Sequence, residues 1–282
     1  MTTIKPLIKW PGGKRRQAQL ISSIIMAKDV SEEFDYYEPF LGGGALFMHL
    51  KQSGALKGEI ILSDISERLI AFHTAIRDEP EAVIETLDDL RSLTLDDYYE
   101  VRTAFNEADV EGPETAAMFL WLNKNAWRGL WRENKSGGMN VPKNDKLGAL
   151  PNAETIRAVS EIYQGVTLRC EGFSDAFTFA NKQNAVFYCD PPYVPLKETE
   201  TSFVTYSKQG FPMALQHELA ALAREAAAEG AIVVISNHAS KLATETLYPV
   251  EDFEQHFLKA KRGIGVRVDK TEAKEVIAVI GG

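Results

Sequence analysis

Short apolar runs alternate with helical stretches towards both ends of the chain. The runs have the length of buried strands and lie at residues 34–38, 59–63, 166–170, 185–189 and 231–236. Helical stretches follow the first two runs, from Ala45 to Gln52 and from Ser66 onward, and a long Ala-rich stretch covers about Met213–Glu229. Its apolar residues lie near helical spacing, at Leu215, Leu219, Leu222 and Ala226. This alternation predicts an α/β fold with a mostly parallel sheet and helices on both faces.

The middle of the chain departs from this alternation. From about residue 78 to residue 126 only helical periodicity is present, and Gly112-Pro113 interrupts it. Residues 127–142 follow, with Ser136-Gly137-Gly138 as the turn of a predicted hairpin.

The two patterns predict how the chain is divided. We expect an all-helical insertion at residues 71–152, which separates residues 1–70 from residues 153–282 of one α/β domain. Near the end of the chain, the apolar runs 253–258 and 275–280 predict a terminal hairpin.

Composition places the chain among ordinary globular proteins. Of its 282 residues, 45% are hydrophobic and 25% are charged, and 20 glycines with 12 prolines exclude collagen-like repeats and general disorder. No apolar run approaches the ~18 residues that span a bilayer, and the first six residues lack the core of a secretory signal. Cys170 and Cys189 are too few for a disulfide scaffold or a cysteine zinc site, and no paired-histidine motif occurs. We expect a cytoplasmic protein without a metal ion.

The net charge of −9 conceals separate basic and acidic segments. Residues 1–16 have a local charge of +5, and residues 124–146 and 259–274 each have +4. Residues 78–114, in contrast, have a local charge of −11. If the three basic segments meet on one face, a polyanion can bind there while the acidic part faces solvent. Each basic segment taken alone is more typical of a solvated surface.

A glycine-rich turn, Glu38-Pro39-Phe40-Leu41-Gly42-Gly43-Gly44, follows the first predicted strand and precedes a helix. Glycines there let the backbone come close to a ligand. Asp64, at the end of the next strand, has a carboxylate suited to the two hydroxyls of a ribose. Phe47 stands where the GxGxxG motif has its third glycine, so the pattern favours a nucleoside cofactor without a pyrophosphate. A turn that only packs a helix on a sheet is an equally good interpretation of the glycines.

Lys9-Trp10-Pro11-Gly12-Gly13-Lys14 is a second glycine turn, with an indole and two amines close together. Its spacing differs from that of a phosphate-binding P-loop. Trp10 offers a face to a ligand, and Lys14 offers an ammonium group to a carboxylate. Taken alone, the turn is more typical of a basic surface loop.

The sharpest chemical signal is Asp190-Pro191-Pro192-Tyr193, directly after the predicted strand at 185–189. Two prolines end the strand and restrict the backbone, so that the Asp190 carboxylate and the carbonyl groups beside Pro191 can converge at the sheet edge. Two acceptors close together suit the two hydrogens of a planar amino group, and Tyr193 offers a ring on which a base can stack. A bare Asp-Pro-Pro is more often a rigid turn, but the flanking tyrosines make this string more specific.

Three further candidates carry weaker signals. Cys189 is expected to face the core, because neighbours in a strand point to opposite faces. His238, at the end of Ile235-Ser236-Asn237-His238, can contact a ligand at the rim of its strand, but a structural histidine is the more typical interpretation. Aromatic and guanidinium side chains are interleaved in residues 127–132, where arginine can bind guanine or phosphate and an aromatic can wedge between bases. Tryptophan in the core with arginine on the surface is the alternative, although a hairpin cannot bury all of its side chains.

Over about residues 7–280 the chain resembles the Dam-type DNA adenine-N6 methyltransferases. Five motifs carry the resemblance, with the helical insertion between the third and the fourth: KWPGGK, EPFLGGGALF, LSD, YCDPPY and ISNH. Cofactor motifs before the insertion and DPPY after it are the order of the alpha class. The resemblance implies a Rossmann-like fold of S-adenosylmethionine-dependent methyltransferases, with an inserted helical DNA-recognition domain that carries a hairpin.

The resemblance also implies roles for individual residues. Those implied to bind the cofactor S-adenosyl-L-methionine are Trp10, Lys14, Pro39, Phe40, Gly42, Gly44, Asp64, Phe173 and Asp190. Those implied to bind the target adenine and catalyse the reaction are Asp190, Pro191, Pro192 and Tyr193. Those implied to contact double-stranded DNA are Lys9, Lys124, Trp127, Arg128, Leu130, Arg132, Asn140 and Pro142.

Within the hairpin, the resemblance implies that Trp127 fills the gap left by a flipped-out adenine. Arg128, where family members often have asparagine, is implied to contact a phosphate. The positions that read flanking bases in the family all match in this chain, and the predicted DNA site is therefore GATC. These positions are Lys9, Leu130, Arg132 and Pro142. Residues 199–211, a polar segment that includes Phe203 and Tyr206, are expected to close over the base. Residues 262–267 are less rich in glycine and asparagine than is usual in the family.

Two other interpretations are compatible with the motifs. A methyltransferase with the same DPPY pocket can act on an RNA base or a protein glutamine amide, and a regulator derived from this fold can bind DNA without catalysis. The hairpin insertion favours duplex DNA, and the intact Asp64 and DPPY favour an enzyme. We expect a monomer, and the sequence leaves open whether a partner restriction nuclease exists.

Overall fold

The computed structural model describes residues 3–134, 136–195, 211–260 and 273–282. The strands in this part of the chain are β1 Asp35–Glu38, β2 Ile60–Asp64, β3 Thr167–Cys170, β4 Ala185–Cys189, β5 Ile232–His238, β6 Glu254–Ala260 and β7 Ala273–Ile280. They form one sheet in the order β3-β2-β1-β4-β5-β7-β6. β1 runs parallel to β2 and β4, and β4 runs parallel to β5, whereas β7 is antiparallel to both β5 and β6.

The topological switch point of the sheet lies at its centre, between β1 and β4. Tyr37 of β1 is in register with Ile61 of β2 on one side and with Phe187 of β4 on the other. The chain moves from β1 to β2 on one side and later returns to β4 on the other side. Crevices that bind ligands in open α/β sheets lie at such a point, outside the carboxyl ends of the strands.

Burial explains why the central strands are continuous apolar runs. All five residues of β4 are buried, and so are the first six residues of β5. Parallel strands covered on both faces need no polar face, and therefore lack the alternation of half-exposed strands. The predicted α/β fold with a mostly parallel sheet is confirmed.

The α-helices of the described residues are α1 Ala18–Met26, α2 Ala45–Ser53, α3 Glu67–Asp78, α4 Pro80–Leu90, α5 Tyr98–Glu107, α6 Pro113–Asn125, α7 Ala153–Tyr163, α8 Phe173–Phe179 and α9 Met213–Ala228. A short 3-10 helix covers Trp127–Gly129, and a π-helix covers Leu242–Leu247. Local signals begin several of them. Pro80 and Pro113 stand in the first turn, where no backbone N–H is needed. Asn152 caps α7, its side-chain oxygen accepting the Thr155 N–H at 2.9 Å. None of these helices is long and apolar enough to cross a bilayer.

The predicted elements agree with the observed ones in position, but burial differs from the prediction in β3 and in α9. The run 166–170 predicts a buried strand, whereas β3 lies at the edge of the sheet and its four residues are exposed or half-buried. The predicted break at Gly112-Pro113 lies between α5 and α6, and β6 with β7 forms the predicted terminal hairpin. The hairpin at 127–142 has antiparallel bridges Glu133–Met139 and Ala126–Lys143 around it. In α9, Leu219 and Ala226 are buried as expected, but the fully buried set also includes the polar Gln216.

The chain packs as two compact units. The first unit comprises residues 1–19, 42–55 and 66–170, and the second comprises residues 20–41, 56–65 and 171–282. This division follows packing. The predicted division, into a catalytic part (1–70 and 153–282) and a DNA-recognition part (71–152), concerns function and stays a prediction.

Aromatic side chains form much of the interior of the first unit. Phe119 of α6 stacks on Trp131 and on Phe72, with ring centroids 3.9 Å and 4.9 Å away. Trp10 stacks against both Phe119 and Trp131, with centroids 6.4 Å from each. Such pairs contribute about 0.5–1.5 kcal/mol each beyond their buried area. The turn at residues 9–14 and the start of the hairpin are thereby fixed to the helices of the same unit.

Candidate functional site

Polar side chains stand at the carboxyl ends of neighbouring parallel strands in the second unit. β1 ends at Glu38, β2 ends at Asp64, and Asp190 directly follows β4. β5, which is parallel to β4, ends at His238. Because the carboxyl ends of parallel strands share one edge of a sheet, these four side chains belong to the same edge. Glu38 and Asp190 flank the switch point between β1 and β4.

The string Asp190-Pro191-Pro192-Tyr193 leaves the sheet at this edge. Asp190 is half-buried, Pro191 is buried and Pro192 is exposed. The Tyr193 hydroxyl donates to Glu275 Oε2 at 3.3 Å, and its ring meets the His238 ring edge-on at 4.9 Å. Burial, and next the negative charge of Asp190, raise the pKa of the Tyr193 hydroxyl. Tyr193 therefore stays a protonated donor beside two carboxylates.

The surroundings of Asp190 are rich in acceptors. The Tyr36 hydroxyl donates to Glu38 Oε2 at 2.7 Å. Burial first, then the charges of Asp190 and Glu38, raise the pKa of the Cys189 thiol, so this fully buried cysteine remains protonated. The sequence expectation that Cys189 faces the core is confirmed. The sheet edge is thus suited to bind hydrogen-bond donors such as an amino group or ribose hydroxyls.

An aromatic wall adjoins the end of β1. Phe40, one of the predicted cofactor residues, stacks on Phe173, another of them, with centroids 5.5 Å apart. Phe211 meets Phe40 edge-on at 5.7 Å and lies 5.6 Å from Phe173. The main-chain oxygen of Asp64 accepts the Glu171 N–H at 3.3 Å, which ties the end of β2 to the residues that precede Phe173. A flat heterocycle can pack against such a wall beside the Asp64 carboxylate.

In the first unit, the glycine turn ahead of α2 is held from two sides. Gly42 has φ 49, and a Cβ at this position would lie 2.7 Å from Cδ1 of Trp10. His73 of α3 donates from Nε2 to the Gly42 carbonyl at 2.9 Å. Lys14, which is buried, donates from Nζ to the Gly12 carbonyl at 2.6 Å. Sequence reasoning missed His73, because it lies inside the amphipathic pattern of a helix.

His73 makes the stability of the protein depend on pH. Burial lowers its pKa to about 4 from the ordinary 6.5, so the imidazole is neutral in the folded chain and takes up a proton on unfolding at mildly acidic pH. Its contribution is present above pH ~6.5 and is lost as the pH falls towards 4. Between pH 7 and pH 5 we expect this group to remove about 2 kcal/mol from the free energy of unfolding, measured by urea denaturation.

The variant His73→Gln separates this effect from other titrations. Glutamine can still donate to the Gly42 carbonyl but does not titrate, so the loss between pH 7 and pH 5 should shrink by about 2 kcal/mol. Thr74→Ser, at the next position of α3, changes no titratable group; it is the matched control and should leave the loss as it is. An unchanged pH dependence in His73→Gln would contradict the assignment.

Lys9, a predicted DNA-binding residue, is fixed by a side chain 114 residues later. Asn123 accepts the Lys9 N–H at its Oδ1 (2.9 Å) and donates from Nδ2 to the Lys9 carbonyl (2.8 Å). Gly129 packs so closely on the Lys9 side chain that any larger residue would collide with it. Burial, and next the charge of Lys9, lower the pKa of Lys124. Two of the three predicted basic segments, 1–16 and 124–146, therefore meet.

The predicted DNA-binding residues of the hairpin are either exposed or half-buried. Arg132 is exposed and donates from Nε to Asn140 Oδ1 at 2.7 Å, so these two predicted residues are joined. The exposed Arg128 has φ 57 and places its guanidinium 4.8 Å from the centre of the Trp127 ring. The Trp127 N–H donates to the carbonyl of the exposed Pro142 at 2.8 Å, and Leu130 is half-buried.

Trp131 differs from the predicted DNA-binding residues of the hairpin, because its side chain is buried. It is 8% exposed and belongs to the aromatic interior of the first unit. For Trp131 the alternative that the sequence left open is therefore correct, with tryptophan in the core and arginine on the surface, whereas Trp127 of the same segment is half-buried.

Several expectations lie outside the described residues. These are the predicted closing segment up to residue 210, residues 262–267, Lys135 and most of the basic segment 259–274. Among the residues that the structure does describe, no group of three or more histidine, cysteine, aspartate or glutamate side chains is arranged to hold a metal ion.

Comparison with known proteins points to one family. The model of the D12 class N6 adenine-specific DNA methyltransferases matches residues 10–264. The Type II methyltransferase M.MjaIII of Methanocaldococcus jannaschii is 34% identical over 285 residues, which cover 95% of each chain. A DNA adenine methylase of Haemophilus influenzae is 34% identical over 286 residues, covering 98% of this chain and 94% of that protein. The Retron Ec67 DNA adenine methylase of Escherichia coli is 32% identical over 280 residues, covering 98% and 91%.

Proposed function

Because the chain belongs to the D12 class N6 adenine-specific DNA methyltransferase family, it is a DNA adenine methyltransferase, and we propose that Asp190-Pro191-Pro192-Tyr193 is its catalytic motif. We propose the amino group N6 of a flipped-out adenine in duplex DNA as the acceptor and S-adenosylmethionine as the donor. The observation that carries the proposal is the position of Asp190 at the carboxyl end of β4, beside the switch point of the sheet. Family membership argues against an RNA base, a glutamine amide or a purely regulatory role.

The residues of the sheet edge fit this cofactor. In the second unit, the Asp64 carboxylate suits ribose hydroxyls, and the wall of Phe40 and Phe173 suits an adenine ring. In the first unit, taken by itself, the tight turn at Gly42 leaves no room for a side chain. We propose that the cofactor-binding residues are Pro39, Phe40, Asp64, Phe173 and Asp190 in the second unit, and Trp10, Lys14, Gly42 and Gly44 in the first. When bound, the cofactor supplies a methyl group already activated on a sulfonium.

The protein's part in the reaction is to make the adenine amine nucleophilic. The N6 lone pair of adenine is delocalised into the ring, which makes the amine a poor nucleophile. If the Asp190 carboxylate and the Pro191 carbonyl accept the two N6 hydrogens out of the ring plane, the nitrogen becomes more tetrahedral and its lone pair is localised. Tyr193, held by Glu275 and His238, offers its ring to the base. The extra proton leaves to Asp190 or to water, and orientation contributes more than base strength.

Recognition of DNA is proposed for residues 71–152 together with Lys9. Moving the adenine out of the stack costs roughly a few kcal/mol, and Trp127 would fill the gap. The exposed arginines of the hairpin supply charge for phosphates and base edges. The contacting residues we propose are Lys9, Lys124, Trp127, Arg128, Leu130, Arg132, Asn140 and Pro142, and the methylated sequence we propose is GATC.

A methyl-transfer assay tests the function directly. Labelled S-adenosylmethionine would be incubated with the protein and duplex oligonucleotides that contain GATC or a single change at each of its positions. We expect N6-methyladenine in the GATC duplex and much slower transfer to the changed ones. Equal transfer to all of them would reject GATC, and no transfer to any adenine would reject the assigned chemistry.

Arg132 is the residue with the clearest expected effect on sequence discrimination. A guanidinium that binds a base edge contributes about 1–3 kcal/mol of discrimination at one base pair. Arg132→Ala should therefore lower the ratio of kcat/KM for GATC over one single-base variant by about 5- to 150-fold.

Competition between the two duplexes measures this ratio. Arg157→Ala, which removes a guanidinium that instead pairs with Glu81 on the helices, is the matched control and should keep the wild-type ratio. Wild-type selectivity in Arg132→Ala would reject a reading role for Arg132.

A further inference from the structure

We infer that Gln216 and Asn237 are positioning residues that fix the backbone of the catalytic motif. The inference rests on the proposed role of Asp190-Pro191-Pro192-Tyr193 and deepens it. Neither side chain belongs to the motif. Asn237 stands one residue before the end of β5, and Gln216 lies in the first turn of α9.

The two amides bind the main chain on both sides of Tyr193. Gln216 donates from Nε2 to the Pro192 carbonyl at 2.7 Å. Asn237 accepts the Val194 N–H at its Oδ1 at 2.9 Å. Asn237 also donates from Nδ2 to Gln216 Oε1 at 3.2 Å, which joins the two side chains. The segment 192–194 is therefore held by one continuous network of amides.

His238 adds a third contact to the same segment. Its Nδ1 lies 2.6 Å from the Val194 carbonyl, and its ring packs edge-on against Tyr193. The Asn237 oxygen also accepts the His238 N–H at 2.9 Å, so the amide is fixed to its own strand. The network thus fixes the loop that follows β4 relative to the end of the neighbouring strand β5.

Burial makes the network rigid. Gln216 and Asn237 are both 0% exposed, so neither amide can exchange these partners for water. A buried amide that loses a partner keeps its desolvation cost, and buried networks that are satisfied specify one arrangement. An apolar side chain at position 216 would continue the apolar stripe of α9, but it could not bind the loop.

Backbone geometry explains how distant amides reach the reacting group. Proline fixes φ near −65° at Pro191 and Pro192, so the ψ angles are the main freedom left in this part of the loop. Fixing the Pro192 carbonyl and the Val194 N–H restricts those angles from the far side, while β4 restricts them from the near side. The direction of the Pro191 carbonyl, which we propose accepts one hydrogen of the adenine amine, is then determined.

The variant Gln216→Met tests the inference, since methionine keeps the length of the side chain but cannot bind the Pro192 carbonyl. With a GATC duplex we expect kcat for methyl transfer to fall at least ~10-fold, since small misplacement of reacting groups is costly. The dissociation constant of S-adenosylmethionine and the KM for DNA should stay within about threefold of wild type, because the proposed contacts to both remain. If Gln216 only stabilised the fold, Gln216→Met would lower the thermal stability but would not lower kcat while leaving KM unchanged.

Gln255→Met is the matched control. Gln255 lies on β6 in the same unit and donates to two carbonyls, those of Thr244 at 2.8 Å and Tyr248 at 2.6 Å, away from the motif. It should lose stability as Gln216→Met does, while its kcat stays within about twofold of wild type. An equal loss of kcat in both variants would overturn the inference.

Gln216→Leu covers the case in which Gln216→Met does not fold. Leucine continues the apolar stripe of α9 but can neither donate to the Pro192 carbonyl nor accept from Asn237. We expect the same loss of kcat with little change in KM. A folded Gln216 variant with wild-type kcat would overturn the inference, and so would failure of both variants to fold. An inactive wild-type protein would instead overturn the proposed function itself.

Discussion

Replacing Asp190 with alanine is expected to lower methyl transfer by at least ~10³-fold, near the limit of detection. Asp190 is proposed to accept a hydrogen of the adenine amine, and alanine leaves that hydrogen without an acceptor in a partly desolvated site. Most of the cofactor contacts we propose lie elsewhere, so the dissociation constant of S-adenosylmethionine should change by less than about tenfold. Single-turnover transfer to a GATC duplex and equilibrium titration of the cofactor measure the two quantities.

Asp252→Ala serves as the control for this prediction. Asp252 belongs to the same unit and forms an exposed ion pair with Arg224, an interaction that contributes little to stability. Its methyl transfer should match that of the wild type. If Asp190→Ala retained turnover near the wild-type rate, Asp190 would not be the residue that binds the amine.

Replacing Gly42 with alanine is expected to weaken cofactor binding at least ~10-fold, which corresponds to about 1.4 kcal/mol. A left-handed conformation costs a residue with a Cβ about 1–2 kcal/mol, and Gly42 has φ 49. The added Cβ would also lie 2.7 Å from Cδ1 of Trp10. Trp10 cannot easily move away, because it stacks against Phe119 and Trp131. The turn itself must shift, and with it the backbone proposed to meet the cofactor.

Gly54→Ala isolates the collision from the backbone strain. Gly54 ends α2 with φ 76, and a Cβ there would meet nothing within 4 Å. Both variants should lose about 1 kcal/mol or more of unfolding free energy, but Gly54→Ala should bind S-adenosylmethionine as the wild type does. Equal cofactor affinity in the two variants would remove Gly42 from the proposed binding residues.

Family membership and the structure bear on different parts of the function. The family accounts for the reaction on adenine in DNA. The structure adds the contacts of the residues proposed to perform it, such as the bond from Tyr193 to Glu275 and the bond from Arg132 to Asn140. We propose that sequence specificity depends on the hairpin residues such as Arg132, and competition assays on hairpin variants test this proposal.

Much of the fold and part of the candidate site follow from the sequence by itself. Apolar runs of strand length determined β4 and β5, because a strand buried on both faces must be apolar throughout. Proline and glycine determined where α6 begins and where the turn before α2 lies, because their backbone preferences act locally. The position of Asp190 at a strand end follows from the same local rules, and so does the burial of Cys189.

Only the tertiary structure decided which buried polar side chain forms a hydrogen bond with which loop. Gln216 interrupts an apolar stripe and looks like an exposed residue until its bond to the Pro192 carbonyl is seen. Asn123 meets Lys9 across 114 residues, and His73 meets Gly42 across 31. Helix and strand patterns record burial and local backbone preference, whereas a hydrogen-bond partner is chosen by the packing of distant segments. The burial of Trp131 had the same origin, because its ring neighbours Trp10, Phe105 and Phe119 come from distant segments of its unit.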